Sequence, residues 1–387
     1  MKLISRLKPV YNFKEILAAM AFSTGNILRF EKAFAKKFEC DYGVMFSYGR
    51  AGLYSLFKIW NLKNDEIICP AYTCVVVAHA IVLSGNTPVF IDCEKDSFNM
   101  SLEGIRNAIT VKTRAIIVTH LFGYPMDVVA VQKIIKEAEE KYNHKIYMVQ
   151  DCAHSFGCRW NGELVTKFGD AAIYGLNISK IINSIFGGMV TTNSQETYHA
   201  LMEYRKTTFR KSTWLKSIKR FFYLIAIYPA FNAYIYGFVN WLEGKGLLDR
   251  FVKYYDDASI DFPKDWNTLP TEIEARIGLV QLNKYDKIIQ LKGENSNQWQ
   301  RRFKQDNGIS FLLMDNGATY SHCVGLVTDR GKWIEKFRQK NINLGVIVDY
   351  VIPYTQAYEK YKFQDYPISR YYSEHVVNFP NYKNFLY

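Results

Sequence analysis

The sequence predicts an α/β fold: a large domain with a mostly parallel central sheet between helices, then a smaller C-terminal α+β domain. Three observations predict it. The apolar, β-rich runs IICP (67–70), TPVFID (87–92), AIIVTH (115–120) and KIYMVQD (145–151) alternate with longer helix-compatible stretches. From residue 271 the text becomes one long helical pattern, TEIEARIGLVQLNKYDKIIQLKGENSNQWQRRF. Beyond it, short apolar runs surround a single helix, and 387 residues are enough for one large core and a second, smaller one.

Taken in order, RFEKAFAKKFE (29–39) carries apolar residues at helical spacing, and a second helix over 50–60 follows Gly49. Helices are expected at 72–83, 101–110 and 127–142, between the four strands. AAIYGL (171–176) and GGMVTTN (187–193) read as two further strands, the second entered through a glycine pair. In the last part, ISFLLM (309–314), HCVGLVTD (322–329) and VVNFP (376–380) are strand candidates around a helix at 331–340. The expected division is 1–270 for the large domain and 271–387 for the linking helix and small domain.

Composition narrows the function classes. An apolar share of 49% with 16% aromatics excludes general disorder. A net charge of +12 favours an anionic partner: phosphate, nucleotide, nucleic acid or an anionic lipid surface. No zinc-finger spacing or basic helical arm supports nucleic acid. Seven cysteines without a CxxC pair suggest neither a disulfide framework nor a metal cluster. With MKLISRLKPVYNF lacking the apolar core of a signal peptide, the cytoplasm is the expected compartment.

Two residues stand out chemically. VQDCAHSFG (149–157) is a strand ending in an acid, Asp151, and strand carboxyl ends are where open α/β sheets bind ligands. YGLNISKIINSIFGG (174–188) holds a lone lysine, Lys180. Asp151 as a helix cap or turn residue, and Lys180 as a surface lysine, are the bland alternatives. A Schiff-base lysine needs an electron sink, which pyridoxal phosphate provides while its ring nitrogen stays protonated. That chemistry wants a lysine facing the aldehyde, an acid facing the nitrogen and helix-start N–H groups for the phosphate. Lys180, Asp151 and the turn SYGRAG (47–52) are residues of those three kinds.

An ordered set of motifs now carries a resemblance. ILRFEKAFAKKFECDYGVMFSYGRAGLYSLF (27–57), DEIICPAYTCVVVAHAIVLSGNTPVFIDCE (65–94), TRAIIVTHLFGYPMDVVAV (113–131), GDAAIYGLNISK (169–180) and WNTLPTEIEARIGLVQLNKYDKI (266–288) together resemble the DegT/DnrJ/EryC1/StrS family. These are sugar aminotransferases among the fold-type I pyridoxal-phosphate enzymes. The third block holds the His-x-x-Gly-x-x-x-Asp pattern as His120, Gly123 and Asp127. By this resemblance Lys180 is the Schiff-base lysine and Asp151 the acid paired with the pyridine nitrogen. His154 sits near the cofactor's phenolic oxygen, where glutamine is usual. Gly49, Arg50 and Ala51 form the phosphate turn, and Ser179 is the hydroxyl residue before the lysine. Asn267 matches an asparagine that reaches the partner subunit's cofactor phosphate, which implies a homodimer with shared active sites.

Several positions depart from the pattern. Arg50 replaces a small hydroxyl residue; it could bind phosphate bidentately or lie on the surface. Cys74 falls where an aromatic stacks on the ring, and Tyr72, expected on the same helix, would point elsewhere. Gly175 replaces a serine, Leu269 stands where an arginine is usual, and VDYVIPYTQAY (348–358) lacks a histidine. The resemblance implies an aminotransferase moving an amino group from an amino acid, glutamate by analogy, to a nucleotide-linked keto-sugar. A catalytically degenerate member that binds a sugar nucleotide, or binds at a membrane, is the alternative. A dehydratase of the same family would typically carry histidine in place of Lys180.

Between about 205 and 262 the chain exceeds the family length. Residues 221–239 hold no charge, Pro229 predicts two short helices joined by a bend, and Trp214 and Trp241 flank the stretch with Lys211, Lys216, Lys219 and Arg220. Residues 214–243 are thus candidates for an interfacial membrane anchor, for a helical pair at the dimer interface or over the active site, or for a marginal span. An anchor would place the protein peripherally on the inner face of the membrane.

Overall fold

Alternation of apolar runs and helical stretches becomes a seven-stranded sheet in the computed structural model, which describes residues 2–247, 258–312 and 317–382. The strands are β1 (Tyr42–Phe46), β2 (Glu66–Pro70), β3 (Thr87–Ile91), β4 (Thr113–Thr119), β5 (Tyr147–Asp151), β8 (Ala171–Gly175) and β9 (Gly188–Thr192). A two-stranded ribbon, β6 (Arg159–Trp160) with β7 (Glu163–Leu164), interrupts them in sequence. Their order is β1-β9-β8-β5-β4-β2-β3. Only β9 runs against its neighbours, pairing antiparallel with β8 and β1.

Helices cover both faces, as a sheet of fully buried strands requires. One layer holds α2 (Asn26–Lys37), α5 (Leu102–Ala108), α6 (Val128–Tyr142) and the start of α10 (Glu272–Arg302), packed through Phe30, Phe34, Ile105, Val131, Ile135 and Leu282. The other holds α3 (Gly49–Ile59), α4 (Val76–Leu83) and α7 (Gln195–Thr208), through Leu53, Leu56, Ala78, Ile81 and Leu201. A helix α1 (Phe13–Met20) precedes them, opened by a capping box between Asn12 and Glu15.

The long helix α10 leaves this core and ends in another. Its Trp299 packs with Trp333 and Phe337 of α11 (Arg330–Arg338) and with Phe379. There the strands β10 (Ile309–Ser310), β11 (Cys323–Val327) and β12 (Val376–Phe379) form an antiparallel sheet, with α12 (Pro367–His375) leading into β12. Residue Ile4 pairs with Ile342, so the chain's beginning packs against the smaller unit. The architecture is the expected one, a large sheet between helices plus a smaller α+β part.

Some elements differ from expectation. α4 begins at Val76, so Tyr72 and Cys74 lie in the bend after β2 and not on a helix. Tyr72 is fully buried, and its hydroxyl donates to the Val348 carbonyl at 3.1 Å. The strand expected over ISFLLM is only Ile309–Ser310; its end at 313–314, like 248–257 of the long segment and 383–387, lies outside the described residues. Pro229 does end a helix: α8 (Trp214–Ala230) and α9 (Ala233–Gly244) meet at 111°. No single helix among the described residues is long and apolar enough to cross a membrane.

Candidate active site

The parallel strands point their carboxyl ends at one edge of the sheet, and the chemistry-bearing residues gather there. Asp151 closes β5 and is buried. Its carboxylate accepts hydrogen bonds from Ala153 N–H at 3.1 Å and Thr119 Oγ1 at 3.4 Å. Burial pushes its pKa up, while the Ala153 N–H and the nearby Lys180 charge hold it down.

β8 ends at Gly175, and the following loop brings Lys180 back across it. A Cβ at position 175 would lie 3.3 Å from Lys180 Cε and 3.9 Å from Ala153 Cβ. The glycine that replaces the expected serine therefore makes room for the lysine chain. Lys180 is half-buried, and burial lowers its pKa against the opposing pull of Cys74 and Asp151. An amine shifted this way is more often neutral, hence more nucleophilic.

β1 delivers the turn. Tyr48 is the N-cap of α3, and Gly49, Arg50 and Ala51 are its first turn; the Ala51 N–H donates to the Tyr48 carbonyl at 3.1 Å, while the Gly49 and Arg50 N–H groups precede the first intrahelical acceptor. The turn abuts β8 closely: a Cβ on Gly49 would lie 2.9 Å from the Tyr174 carbonyl oxygen and 3.4 Å from Gly175 Cα. From the other side, a Cβ on Gly188 would overlap the Gly49 backbone nitrogen. The glycine pair thus closes the back of the turn, with Gly187 at φ +136°. Gly188→Ala is expected to cost about 1–3 kcal/mol of stability through this overlap. Gly244→Ala, which meets nothing within 4 Å, should be close to neutral, and a pair of thermal melts checks both.

His154 is half-buried over Phe122, and its Nδ1 accepts the Phe122 N–H at 3.3 Å, which leaves the proton of the neutral ring on Nε2. Its ring centroid lies 4.5 Å from that of His322, which the smaller unit supplies just before β11. Burial holds both imidazoles well below the usual value, with Lys180 adding to the effect on each. Lys292 of α10 completes the group; burial takes its pKa down to about 8, and its Nζ donates to the Ser321 carbonyl and to Asn381 Oδ1, both at 3.0 Å. A cleft runs past Lys180, Lys292 and His322 to the N-terminal residues Lys8 and Pro9.

Reading the sequence alone misses His322 and Lys292. VDYVIPYTQAY does lack a histidine, but the smaller unit supplies an imidazole from another segment.

Cys74, half-buried, is electrostatically adjacent to Lys180. Ser179 is exposed and its hydroxyl donates to Asn177 Oδ1 at 2.6 Å. Arg50 stacks its guanidinium 5.8 Å from the Tyr48 ring centroid. The side chain of Asn267 holds Arg210, accepting from Nη2 at 2.9 Å. Its neighbour Thr268 accepts from Ser47 Oγ, which ties this segment to the 47–52 turn of the same chain.

Helix α8 adds cations behind that turn. Lys216 Nζ donates to Ser47 Oγ at 2.8 Å and to the Leu269 carbonyl at 3.1 Å. Arg220 Nε donates to Glu274 Oε1 at 2.8 Å and Nη2 to Asp265 Oδ2 at 3.3 Å, while Tyr48 donates to Asp265 Oδ1 at 2.7 Å. Where the resemblance expects an arginine at Leu269, positive charge comes instead from the long insertion.

His120, Gly123 and Asp127 prove structural. His120 is fully buried, accepts the Met126 N–H at 3.0 Å and bonds Gln150 Oε1 at 2.9 Å. Gly123 lies at φ +96° and Asp127 caps α6. Burial pushes the His120 pKa from 6.5 to about 4. A base with a lowered folded pKa binds fewer protons folded than unfolded between those values, so stability falls as pH drops through that window. This residue contributes on the order of 3 kcal/mol of that loss. A series of thermal melts from pH 7 to pH 4 should show the decline, with a shallower slope in His120→Gln.

These residues suit a group carrying an aldehyde, a ring nitrogen and a phosphate. There is an amine with a lowered pKa, a buried acid that among the described residues has no cation in hydrogen-bond contact, and a helix start too tight for any side chain at Gly188.

Comparison with known proteins agrees. The family model for the DegT/DnrJ/EryC1/StrS aminotransferase family matches residues 8–233 and 253–386. GDP-perosamine synthase of Escherichia coli O157:H7 is 32% identical over 185 residues, 47% of this chain and 49% of that protein. The structure of E. coli GDP-4-keto-6-deoxy-D-mannose-3-dehydratase with bound hydrated pyridoxal phosphate superposes with a TM-score of 0.77 at 18% identity, covering 99% of this chain and 96% of the other. Sugar aminotransferase CalS13 from Micromonospora echinospora gives 0.76 at 17% identity, over 97% and 93%. With both the motifs and the sheet topology in agreement, the chain belongs to the DegT/DnrJ/EryC1/StrS aminotransferase family.

Proposed function

We propose that the protein is a pyridoxal-phosphate-dependent aminotransferase that passes an amino group from an amino acid, glutamate by family analogy, to a nucleotide-linked keto-sugar. The observation that carries this reading is the placement of Lys180 and Asp151 at adjacent strand ends, a half-buried amine folded over Gly175 at the end of β8 and a buried acid closing the neighbouring β5. Pyridoxal phosphate, when bound, supplies the electron sink that makes a proton on the donor's α-carbon removable.

The chain's own residues do the rest. Asp151 would hold a positive charge at the ring nitrogen, and the α3 start with Gly49, Arg50 and Ala51 would hold the phosphate. His154, with its proton on Nε2, would serve the phenolic oxygen, and Cys74 would line the ring's face. Lys180 would hold the cofactor and serve as the base and acid that moves the proton. Ser179 precedes it, its hydroxyl engaged by Asn177. A homodimer with shared sites, in which Asn267 reaches the partner's phosphate, belongs to the same reading.

Amination is preferred over dehydration because Lys180 is an amine; an imidazole at that position could move a proton but could not hold the cofactor covalently. Incubating the protein with pyridoxal phosphate, glutamate and a set of nucleotide-linked keto-sugars, with products read by mass spectrometry, tests it. An amino-sugar product with matching 2-oxoglutarate is expected. Loss of water from the sugar without amino transfer, or no reaction with any member of the set, would count against it.

A further inference from the structure

Helix α8 is inside-out. Its inward positions, Lys216, Arg220 and Leu224, follow each other at helical spacing and pack against the body, with both cations bonded there. The opposite stripe, Leu215, Ile218, Phe222 and Ile225, is exposed, Phe222 at 65%. Charges inward and an apolar stripe outward reverse what a surface helix needs in water. The exposure extends to both sides. Trp214 is 75% exposed, Phe238 61% and Trp241 54%, and α1, packed beside α8 through Ala19 and Leu224, presents Phe13, Leu17 and Met20. An apolar surface of this extent marks an interaction site.

What covers it is indicated by charge. Across 211–247 the only acidic residue is Glu243, and it is bound to Arg6 at 2.8 Å. Lys211, Lys219 and Lys245 in that segment are exposed. Glu15 of α1 is buried and bonded to Lys284. Among the described residues of α1, α8 and α9 the face is therefore aromatic and cationic with its acids paired, and tryptophans flank it, a composition complementary to anionic lipid headgroups above an acyl layer. The bend of 111° and helices of 17 and 12 residues suit lying on a bilayer and not crossing it.

We propose that α1, α8 and α9 form a docking face for the surface of an anionic lipid bilayer. The hollow at the α8–α9 bend, lined by Lys8, Pro9, Tyr228, Pro229, Phe231 and Ile235, shares Lys8 and Pro9 with the cleft at Lys180. Docking thus holds the active-site cleft next to the membrane. The proposal stands independently of the amino-transfer reading.

Flotation of the full chain, saturated with pyridoxal phosphate, with vesicles of phosphatidylcholine alone or mixed with phosphatidylglycerol tests it. The protein is expected to float with the mixed vesicles and much less with the neutral ones. Phe222→Ser combined with Phe238→Ser should weaken partitioning by about tenfold or more. Lys211→Glu with Lys219→Glu should weaken it on the anionic vesicles alone, and serves by itself if the first variant does not fold. Absence of flotation on both vesicle types would overturn the proposal. So would sedimentation velocity showing that the serine variant breaks a dimer without changing lipid binding, because the face would then belong to a second copy.

Discussion

Replacing Lys180 by alanine is expected to remove turnover by at least about 10³-fold and to remove the visible absorbance of lysine-bound pyridoxal phosphate. Both losses follow from one amine. In the proposed reaction it would be both the chain's attachment point for the cofactor and the base that moves the proton. Among the described residues the geometry leaves no substitute at the same place. His154 and His322 are close, but burial keeps them neutral, and an imidazole forms no stable imine with an aldehyde. Lys292 is an amine with a pKa near 8, but it is already bonded to Ser321 and Asn381. Arginine at 180 would keep a charge without a nucleophile and should be equally inactive. Absorbance spectra with and without glutamate, alongside a turnover assay, check the prediction. Retention of both in Lys180→Ala would remove the assignment.

How much of this was legible depends on whether the signal was local. Asp151, Lys180 and the 47–52 turn sit in short motifs, and their strands are apolar enough to be read singly; the sheet then brings them together at one edge. β1 was not legible, because YGVMF is short, contains a glycine and follows directly on a helical pattern. Its strand character comes from pairing with β9, from Tyr42 opposite Thr192 to Phe46 opposite Gly188. Tertiary pairing decided a segment on which propensity is neutral. His322 and Lys292 were missed for a related reason. They reach the cleft from the smaller unit and from the middle of α10, and no spacing within the sequence ties either to Lys180.

The insertion was legible in part. Its proline bend and apolar run can be read directly, but in the sequence its basic residues appear only as flanks of that run. Lys216 and Arg220 in fact share a face with Leu224 and turn inward, whereas Lys219 stays in solvent. The helical spacing contained that division. What it could not contain was the acceptor set (Ser47, Leu269, Asp265 and Glu274) that makes burying two cations tolerable.

Asp151→Asn separates catalysis from stability and should move the two in opposite directions. The amide has the carboxylate's shape and can keep Oδ1 toward Ala153 N–H while Nδ2 donates to the Thr119 hydroxyl, which accepts in place of donating, so packing is preserved. What is lost is a negative charge. At a protonated ring nitrogen that charge favours the electron-accepting form of the cofactor, and its removal is expected to lower kcat by roughly 10²–10⁴-fold, with a smaller effect on cofactor affinity. Without cofactor the sign reverses. Burial raises this acid's pKa above its unfolded value, so the folded chain binds the proton more tightly, and ionisation at neutral pH opposes folding. The uncharged amide escapes that penalty, and the cofactor-free variant should melt at or above the temperature of the parent at pH 7. At pH values below the unfolded carboxyl's pKa the advantage should disappear. Thermal melts of both cofactor-free proteins across pH, set beside their turnover at saturating glutamate, measure the two effects separately. A variant that loses activity and stability together would mean that Asp151 serves the fold; one that keeps its activity would mean that the ring nitrogen is met by another group.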